Sequence, residues 1–386
     1  MTGLNRSTVT RLVDELIDFG IVSEGKTAGS NTGGRPLRPL YGAQHSHVAI
    51  GIEISKNQLE LILMDLRGDV LALTQKELPV SELPARRVLE STAELTEDLI
   101  QQVLSAQMSL AGISIGLPGL IDKKSQYLLT APNFGWQDID LLENFRNTAK
   151  LLDEDAIPIT FENSAALTAF NELIGQHRRG AQYEDFLLVT GNSGVGSSLV
   201  RQGKVIEGTH GWAGELGHMF IRENSTPCSC GMKGCLESFI SLEPLLQAAG
   251  LSTDSPLAHL KSKLRRRDKQ ASRAVKLSAQ MLGRALSNYI NIVDVRLVIL
   301  SGIYGSLFEY ILPEIEKELE SRVISYRKLP TQVQKSQTQE SAVAKGAAWK
   351  ALLDFVDNPK VWTPPTTYAR NFKGLECTNT VTLTFD

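Results

Sequence analysis

An α/β protein in two lobes is predicted by three observations on the sequence. Apolar runs with strand character alternate with amphipathic helical stretches from His47 to Phe355. A 386-residue chain with 42% hydrophobic and 22% charged residues has ample core for more than one domain. Three of its four cysteines, with a histidine just ahead, are concentrated in one short stretch, Glu215 to Glu237, which marks a local site rather than a disulfide framework.

The first residues read MTGLNRSTVTRLVDELIDFG. Val9, Leu12, Val13, Leu16, Ile17 and Phe19 recur at helical spacing, Asn5 or Ser7 can cap the start, and Gly20 suits the position just past the end. Thr2-Gly3-Leu4 has the form of a helix-turn-helix turn. The helix after it would present Asn5, Arg6, Ser7, Thr8, Thr10 and Arg11, the hydrogen-bonding and cationic groups that read base edges and phosphates. Ile21-Val22 opens a short hairpin whose tip runs from Lys26 to Gly34 and carries basic groups, Arg35 and Arg38 included. An amphipathic helix with a Gly-rich linker and no DNA role is the plainer alternative.

From His47 the pattern changes to strands: VAIGIEI, then LELILMDLRGDVLAL, turned at Ser55-Lys56-Asn57 and Arg67-Gly68. A helix is expected over Arg86 to Gln107, a buried strand over Leu110 to Asp122 with a turn at Pro118-Gly119, a strand over Ile157 to Glu162 and a helix over Asn163 to Ile174. Phe186 to Val200 reads as a strand pair through a Gly-rich turn, Leu297 to Ser301 as a strand, and Leu312 to Arg322 and Ala344 to Phe355 as helices. Pro256 to Gly283 reads as helical, and its basic run Lys261 to Lys269 as a solvated helix face. The domains expected are 1–42, 43–165 and 166–356, with a peripheral Pro- and Thr-rich tail at 357–386.

No apolar run approaches the ~20 residues that span a bilayer, and charges interrupt every apolar stretch near the N-terminus, so no secretory signal is read there and a cytoplasmic chain is expected. In a reducing compartment His218, Cys228, Cys230 and Cys235 make a closed four-ligand set for tetrahedral Zn²⁺. Gly231 and Gly234 allow the tight folding that brings neighbouring sulfurs together.

The segment CSCGMKGCLE with GELGH ahead of it resembles the signature of the ROK family of sugar kinases and sugar-responsive repressors. The resemblance implies a two-lobed actin-like (ribonuclease H-like) body and a zinc that stiffens a loop at a sugar pocket. Carried over residue by residue, it implies that Gly119, Asn133, Asn163, Glu215, His218 and Glu237 bind the sugar, a glucose-like monosaccharide or an amino sugar. Gly33-Gly34-Arg35-Pro36 resembles the wing of the family's repressors, where Arg35 would enter the minor groove. Those repressors carry a further helix and most of a second ahead of the turn, whereas this sequence opens at the turn, so a partial winged helix-turn-helix is expected.

The family's kinases carry an Asp general base after the Asn that begins the helix; the matching residue here is Ser164. Their first phosphate turn, Asp-x-Gly-x-Thr, appears as Glu53, Ser55 and Asn57, and their second as Asn192 to Gly196. With no catalytic residue assigned, the expectation is a regulator, a repressor acting as a homodimer or homotetramer on operator DNA. An ATP-dependent sugar kinase is the alternative.

Overall fold

In a computed structural model the described residues are 3–26, 38–149, 157–181, 183–223 and 227–362. They fall into two units, each assembled from separated pieces of chain. The first comprises Met1–Gly116, Leu141–Glu162 and the chain from Ala344 on; the second comprises Leu117–Asp140 and Asn163–Val343.

The first unit is built on a five-stranded sheet in the order Ile159–Asn163, Ser109–Leu117, His47–Ile54, Gln58–Asp65, Val70–Glu77. The last three strands form an antiparallel meander, because short turns join them, while Ser109–Leu117 runs parallel to His47–Ile54 after a helical crossover through Ala85–Ser105. His47–Ile54 is apolar almost throughout and buried, as expected of a central strand covered on both faces. One face takes the helix Ala342–Val356: its Ala344, Ala348, Ala351, Leu352 and Phe355 form a core with Ala49, Ile62 and Met64. This approach needs Gly51, where an added Cβ would lie 2.0 Å from the Ala344 carbonyl oxygen.

The second unit repeats the plan. Its sheet runs Gln332–Lys335, Leu297–Ser301, Phe186–Gly191, Val195–Arg201, Lys204–Val205. In both sheets the first strand in sequence sits at the centre with its hairpin partner on one side and a parallel strand on the other. The long helix Lys269–Val293 and the helix Phe308–Arg322 pack together over a core that includes Leu187, Val189, Val298 and Leu300. A small three-stranded sheet, Leu120–Asp122, Tyr127–Ala131 and Trp136–Asp140, also belongs to this unit.

Several expectations need correction. The helix over Ala344 to Phe355 packs in the first unit, not the second, because its small residues fit against Gly51. The contacts divide at Gly116, Asp140, Glu162 and Val343, not at residues 42, 165 and 356, and Leu117–Asp140 goes with the second unit. The stretch from Pro256 to Gly283 is two helices, Leu257–Arg265 and Lys269–Val293. The first ends when Arg267 takes a left-handed conformation (φ +57°), its N–H donating to the Leu264 carbonyl and that of Asp268 to the Lys263 carbonyl. Asp268 then caps the second helix by accepting from the Ala271 N–H.

The N-terminal residues do not form a separate module. The helix Arg6–Asp18 is capped by Asn5 and closed by Gly20 at φ +67°, as its sequence implies. Its last turn and the residues just after it enter the body: Leu16, Phe19, Ile21 and Val22 join the core made by Ala49, Ile62, Met64 and Phe355. His47 Nε2 donates to the Phe19 carbonyl at 2.8 Å, and Ser46 Oγ donates to the Gly20 carbonyl at 2.6 Å. Burial lowers the His47 pKa, with the hydrogen bond to Phe19 opposing the shift. The expected hairpin is present as Val22–Glu24 paired antiparallel with Leu40–Gly42; its tip, with Arg35, lies outside the described residues, as does the tail beyond Trp362.

Gly51→Ala is expected to destabilise the protein by about 2–4 kcal/mol, because the new methyl meets backbone that cannot turn away. A urea midpoint equal to that of the parent would show that the helix from Ala342 is not seated on this strand.

Candidate metal centre and surrounding pocket

The cysteine loop is folded by its glycines. Gly231 (φ +86°) and Gly234 (φ +83°) occupy left-handed positions, and an added Cβ at Gly234 would fall 2.4 Å from the Arg222 carbonyl oxygen. Cys228 N–H donates to the Met232 carbonyl and Gly231 N–H to the Cys228 carbonyl, closing the knuckle. Bridges from Phe220 to Cys235 and from Pro227 to Lys233 hold its two arms.

The result brings the four expected ligands together. One ligand atom from each of His218, Cys228, Cys230 and Cys235 lies within 4.8 Å of the other three. Cys230 Sγ and Cys235 Sγ are 3.8 Å apart, and Cys228 Sγ is 3.7 Å from His218 Nδ1. A tetrahedral ion with metal–sulfur bonds of about 2.3 Å has edges of about 3.8 Å, so the group can hold one metal ion. Burial and the neighbouring thiols push the Cys235 pKa up to about 12, and burial raises that of Cys228. Three thiolates at this spacing need a cation to balance them.

Glu237 ties this loop to the glycine-rich turn. Its side chain is 5% exposed. Oε2 accepts from the Val195 N–H at 2.7 Å, and Oε1 accepts from Ser229 Oγ at 3.2 Å and lies 3.8 Å from Cys228 Sγ. An added Cβ at Gly194 would meet Asn133 Nδ2 at 2.5 Å and Glu237 Oε2 at 2.8 Å, so these two side chains converge on the turn. Glu215 Oε2 stands 3.8 Å from His218 Nε2, the nitrogen facing away from the cysteines. Burial raises the Glu215 pKa, with His218 opposing and Glu237 adding to the shift. Asn133, Glu215, His218 and Glu237 are thus drawn together around Gly194 and the cysteine loop.

The other two expected pocket residues are joined to each other: Asn163 Nδ2 donates to the Gly119 carbonyl at 3.0 Å. Asn163 Oδ1 caps the helix Ser164–Arg178 by accepting from Ala165 N–H, which occupies the side chain expected to read a sugar. The capped end is near the same turn, since an added Cβ at Gly196 would approach Ala165 Cβ to 2.9 Å. Ser164 is the first residue of that helix, and its Oγ is buried with no hydrogen-bond partner among the described residues. The sequence reading missed Ser229 and the Val195 N–H; the only trace of them was their nearness to Cys228 and Gly194.

In the first unit Glu53 faces Glu60 across the strand pair, and Gln75 Nε2 donates to Glu60 Oε2 at 2.5 Å. Burial, reinforced by the Glu60 charge, raises the Glu53 pKa to about 7. Ser55 and Asn57 serve the hairpin turn: Ser55 N–H and Oγ both donate to the Gln58 carbonyl, and Leu78 N–H donates to the Asn57 carbonyl. On the N-terminal helix, Asn5 Oδ1 accepts from Thr8 N–H and Ser7 Oγ, Thr10 Oγ1 donates to the Arg6 carbonyl, and Arg11 pairs with Glu15 at 3.0 Å. Asn5 is therefore a cap, whereas Arg6 and Arg11 remain exposed and Thr8 is half-buried.

The sequence profile of the ROK family matches residues 49–353, and the chain belongs to that family. It is 28% identical to the xylose repressor of Bacillus subtilis (strain 168) over 375 residues, covering 92% of this chain and 90% of the relative. Among solved structures it is similar to a ROK family transcriptional regulator described as a homologue of the E. coli MLC protein, with a TM-score of 0.75, 23% identity and coverage of 93% and 91% of the two chains. It is also similar to a ROK family glucokinase from Streptomyces griseus, solved with glucose and AMPPNP, with a TM-score of 0.63, 22% identity and coverage of 78% and 98%. The fold is accordingly the actin-like one shared by the family's kinases and regulators. No helix among the described residues is long and apolar enough to cross a membrane.

Two outcomes are expected. Cys230→Ser should lower the metal bound per purified chain to well under half of the parent's by elemental analysis; equal metal content would exclude this cysteine as a ligand. Glu53→Gln tests this half-buried acid. A carboxyl whose pKa rises from 4.5 unfolded to about 7 folded binds more protons in the folded state between those values. Stability is therefore full below about pH 4.5 and falls as pH rises toward 7. The variant should melt higher than the parent at pH 8 and gain less at pH 5, by up to roughly 2–3 kcal/mol. An equal difference at both pH values would refute the raised pKa.

Proposed function

We propose that the chain is a sugar-responsive transcriptional regulator, a repressor, that binds a monosaccharide beside a zinc-organised loop and DNA through its N-terminal helix. The observation that carries this reading is the contrast around the glycine-rich turn. Asn133, Glu215, His218 and Glu237 converge there, whereas the unpartnered Ser164 hydroxyl occupies the position of the kinases' base. The names of the xylose repressor and of the MLC homologue point the same way.

Zinc fits the donor set, three sulfurs and an imidazole nitrogen on tetrahedral edges. Bound there, it would fix the ring of His218 through Nδ1 and leave Nε2 facing Glu215. The chain's own groups then supply recognition. Vicinal sugar hydroxyls would donate to the carboxylates of Glu215 and Glu237 and accept from Asn133 Nδ2. Asn163 and Gly119, held together by their hydrogen bond, would shape the wall beside the helix Ser164–Arg178 rather than supply free polar groups.

Phosphoryl transfer is poorly supported by the same residues. A serine hydroxyl without a basic neighbour cannot take a proton near neutral pH, and loss of a general base costs about 10²–10⁴-fold in rate. Val195 N–H, a backbone donor of the second phosphate turn, already donates to Glu237. Ser55 and Asn57 are engaged in a hairpin where the kinases hold phosphate.

On the DNA side, Arg6, Thr8 and Arg11 would make the contacts of the helix, with Ser7, Thr10 and the hairpin residue Arg35 beside them. A two-fold operator requires at least two copies of the chain. The effector must bind one of the DNA-competent and DNA-incompetent states more tightly than the other.

A gel shift with the DNA upstream of the protein's own coding sequence, repeated across a panel of pentoses, hexoses and amino sugars, is expected to show at least a fivefold change in affinity with one sugar. ADP release with the same panel should stay at background. Sugar-dependent ADP release at ordinary kinase rates, with no sugar effect on DNA binding, would replace this reading with that of a sugar kinase.

A further inference from the structure

The basic run after residue 260 is not a uniform solvated helix face. The helix Leu257–Arg265 buries Leu260 and Leu264, and the helix Lys269–Val293 buries Ala271, Ala274 and Val275. The side chains left outside at their junction are Arg265, Arg266, Arg267, Lys269 and Arg273, all exposed. None of these five side chains has a hydrogen bond or ion pair to another described residue. The neighbouring groups that do have partners are structural. Lys263 Nζ donates to the Ala249 carbonyl at 2.8 Å, and the single acid of the junction, Asp268, caps the second helix and lies 3.8 Å from Lys263. The junction is therefore a dense cationic surface whose only acid, Asp268, is paired with Lys263 and the helix cap.

Arg267 adds a second observation. It sits at the left-handed position that closes the first helix, with φ +57° and the paired N–H to carbonyl bonds of that motif. Glycine is the residue that occupies such a position without strain, and the chain uses glycine for the same purpose at Gly20, Gly180 and Gly250. Gln107 and Asp294 close their helices in the same conformation, and at Arg267 the residue so held is a long, exposed cation whose side chain has no polar partner among the described residues.

We infer that Arg265, Arg266, Arg267, Lys269 and Arg273 form a docking surface for the phosphate backbone of double-stranded DNA, supplying sequence-independent affinity. The inference rests on the DNA-binding reading above. An acidic protein partner is disfavoured by the surface itself. Protein interfaces depend on buried aromatic or aliphatic anchors, and no large apolar side chain between Leu257 and Arg273 is exposed. Phosphate contacts need only cations, and arginine forks match phosphate oxygens in pairs.

The test measures binding of the full chain to a fluorescent random-sequence duplex between about 50 and 200 mM salt. The variant Arg265→Gln/Arg266→Gln/Arg267→Gly should make the slope of log affinity against log salt shallower by about 2–3, since each phosphate contact contributes about 0.9. Arg267→Gly alone should raise the melting temperature or leave it unchanged while lowering duplex affinity, which separates binding from folding. Arg11→Ala serves as the control on the N-terminal helix. If the triple variant keeps the parent's slope while Arg11→Ala weakens binding, the surface is not a DNA contact and the DNA-binding reading stands. If the parent binds no duplex at low salt, both readings fall together.

Discussion

The second unit depends on where the carboxylate of Glu237 goes. A buried acid must be paired or hydrogen-bonded, and this one has a partner on each oxygen: the Val195 N–H on one side, Ser229 and the cysteine loop on the other. The glycine-rich turn therefore cannot move without disturbing the metal loop. Gly194 makes the arrangement possible, because any side chain there would displace Asn133 or Glu237. The same contact commits a backbone donor of the glycine-rich turn within the actin-like body. A backbone donor that an anion would require is already satisfied from within the protein.

The two sheets share one strand order, although the sequence shows no repeat by eye. Strand order is set by turn lengths and crossovers rather than by residue identities, so it can persist after side chains have diverged. The interleaving follows from the same cause. The chain leaves the first unit after Gly116, returns for Leu141–Glu162, and comes back again with the helix from Ala342. That last helix is specified by small residues opposite Gly51, a match between positions nearly three hundred residues apart.

This distance explains what could and could not be read beforehand. The cysteine loop was legible because the four residues that could hold a metal and the glycines between them lie close together in sequence and their chemistry is specific. Strands such as His47–Ile54 and the closing glycine of the first helix were legible for the same local reasons. The home of Ala342–Val356 was not, since an alanine-rich helix suits many surfaces. The end of the helix at Arg265 was hidden because an arginine stands where glycine usually signals a stop. Asn163 matched a sugar-binding position, but its oxygen is committed to capping, and an Asn ahead of a helix is ambiguous between the two. The overlap of the N-terminal helix with the body was equally invisible, because Leu16 and Phe19 read as the ordinary apolar stripe of any helix and Ile21 as the start of a hairpin.

That overlap makes the N-terminal helix a poor candidate for a portable head. Its last turn is set in a socket of Ala49, Ile62, Met64 and Phe355, fastened by His47 and Ser46. A head borrowed from a relative would need its own apolar plug to fit that socket, and a body stripped of its head would expose one. Change is then easiest on the outward surface of the helix, where the exposed Arg6, Ser7 and Arg11 can be replaced without the joint being rebuilt.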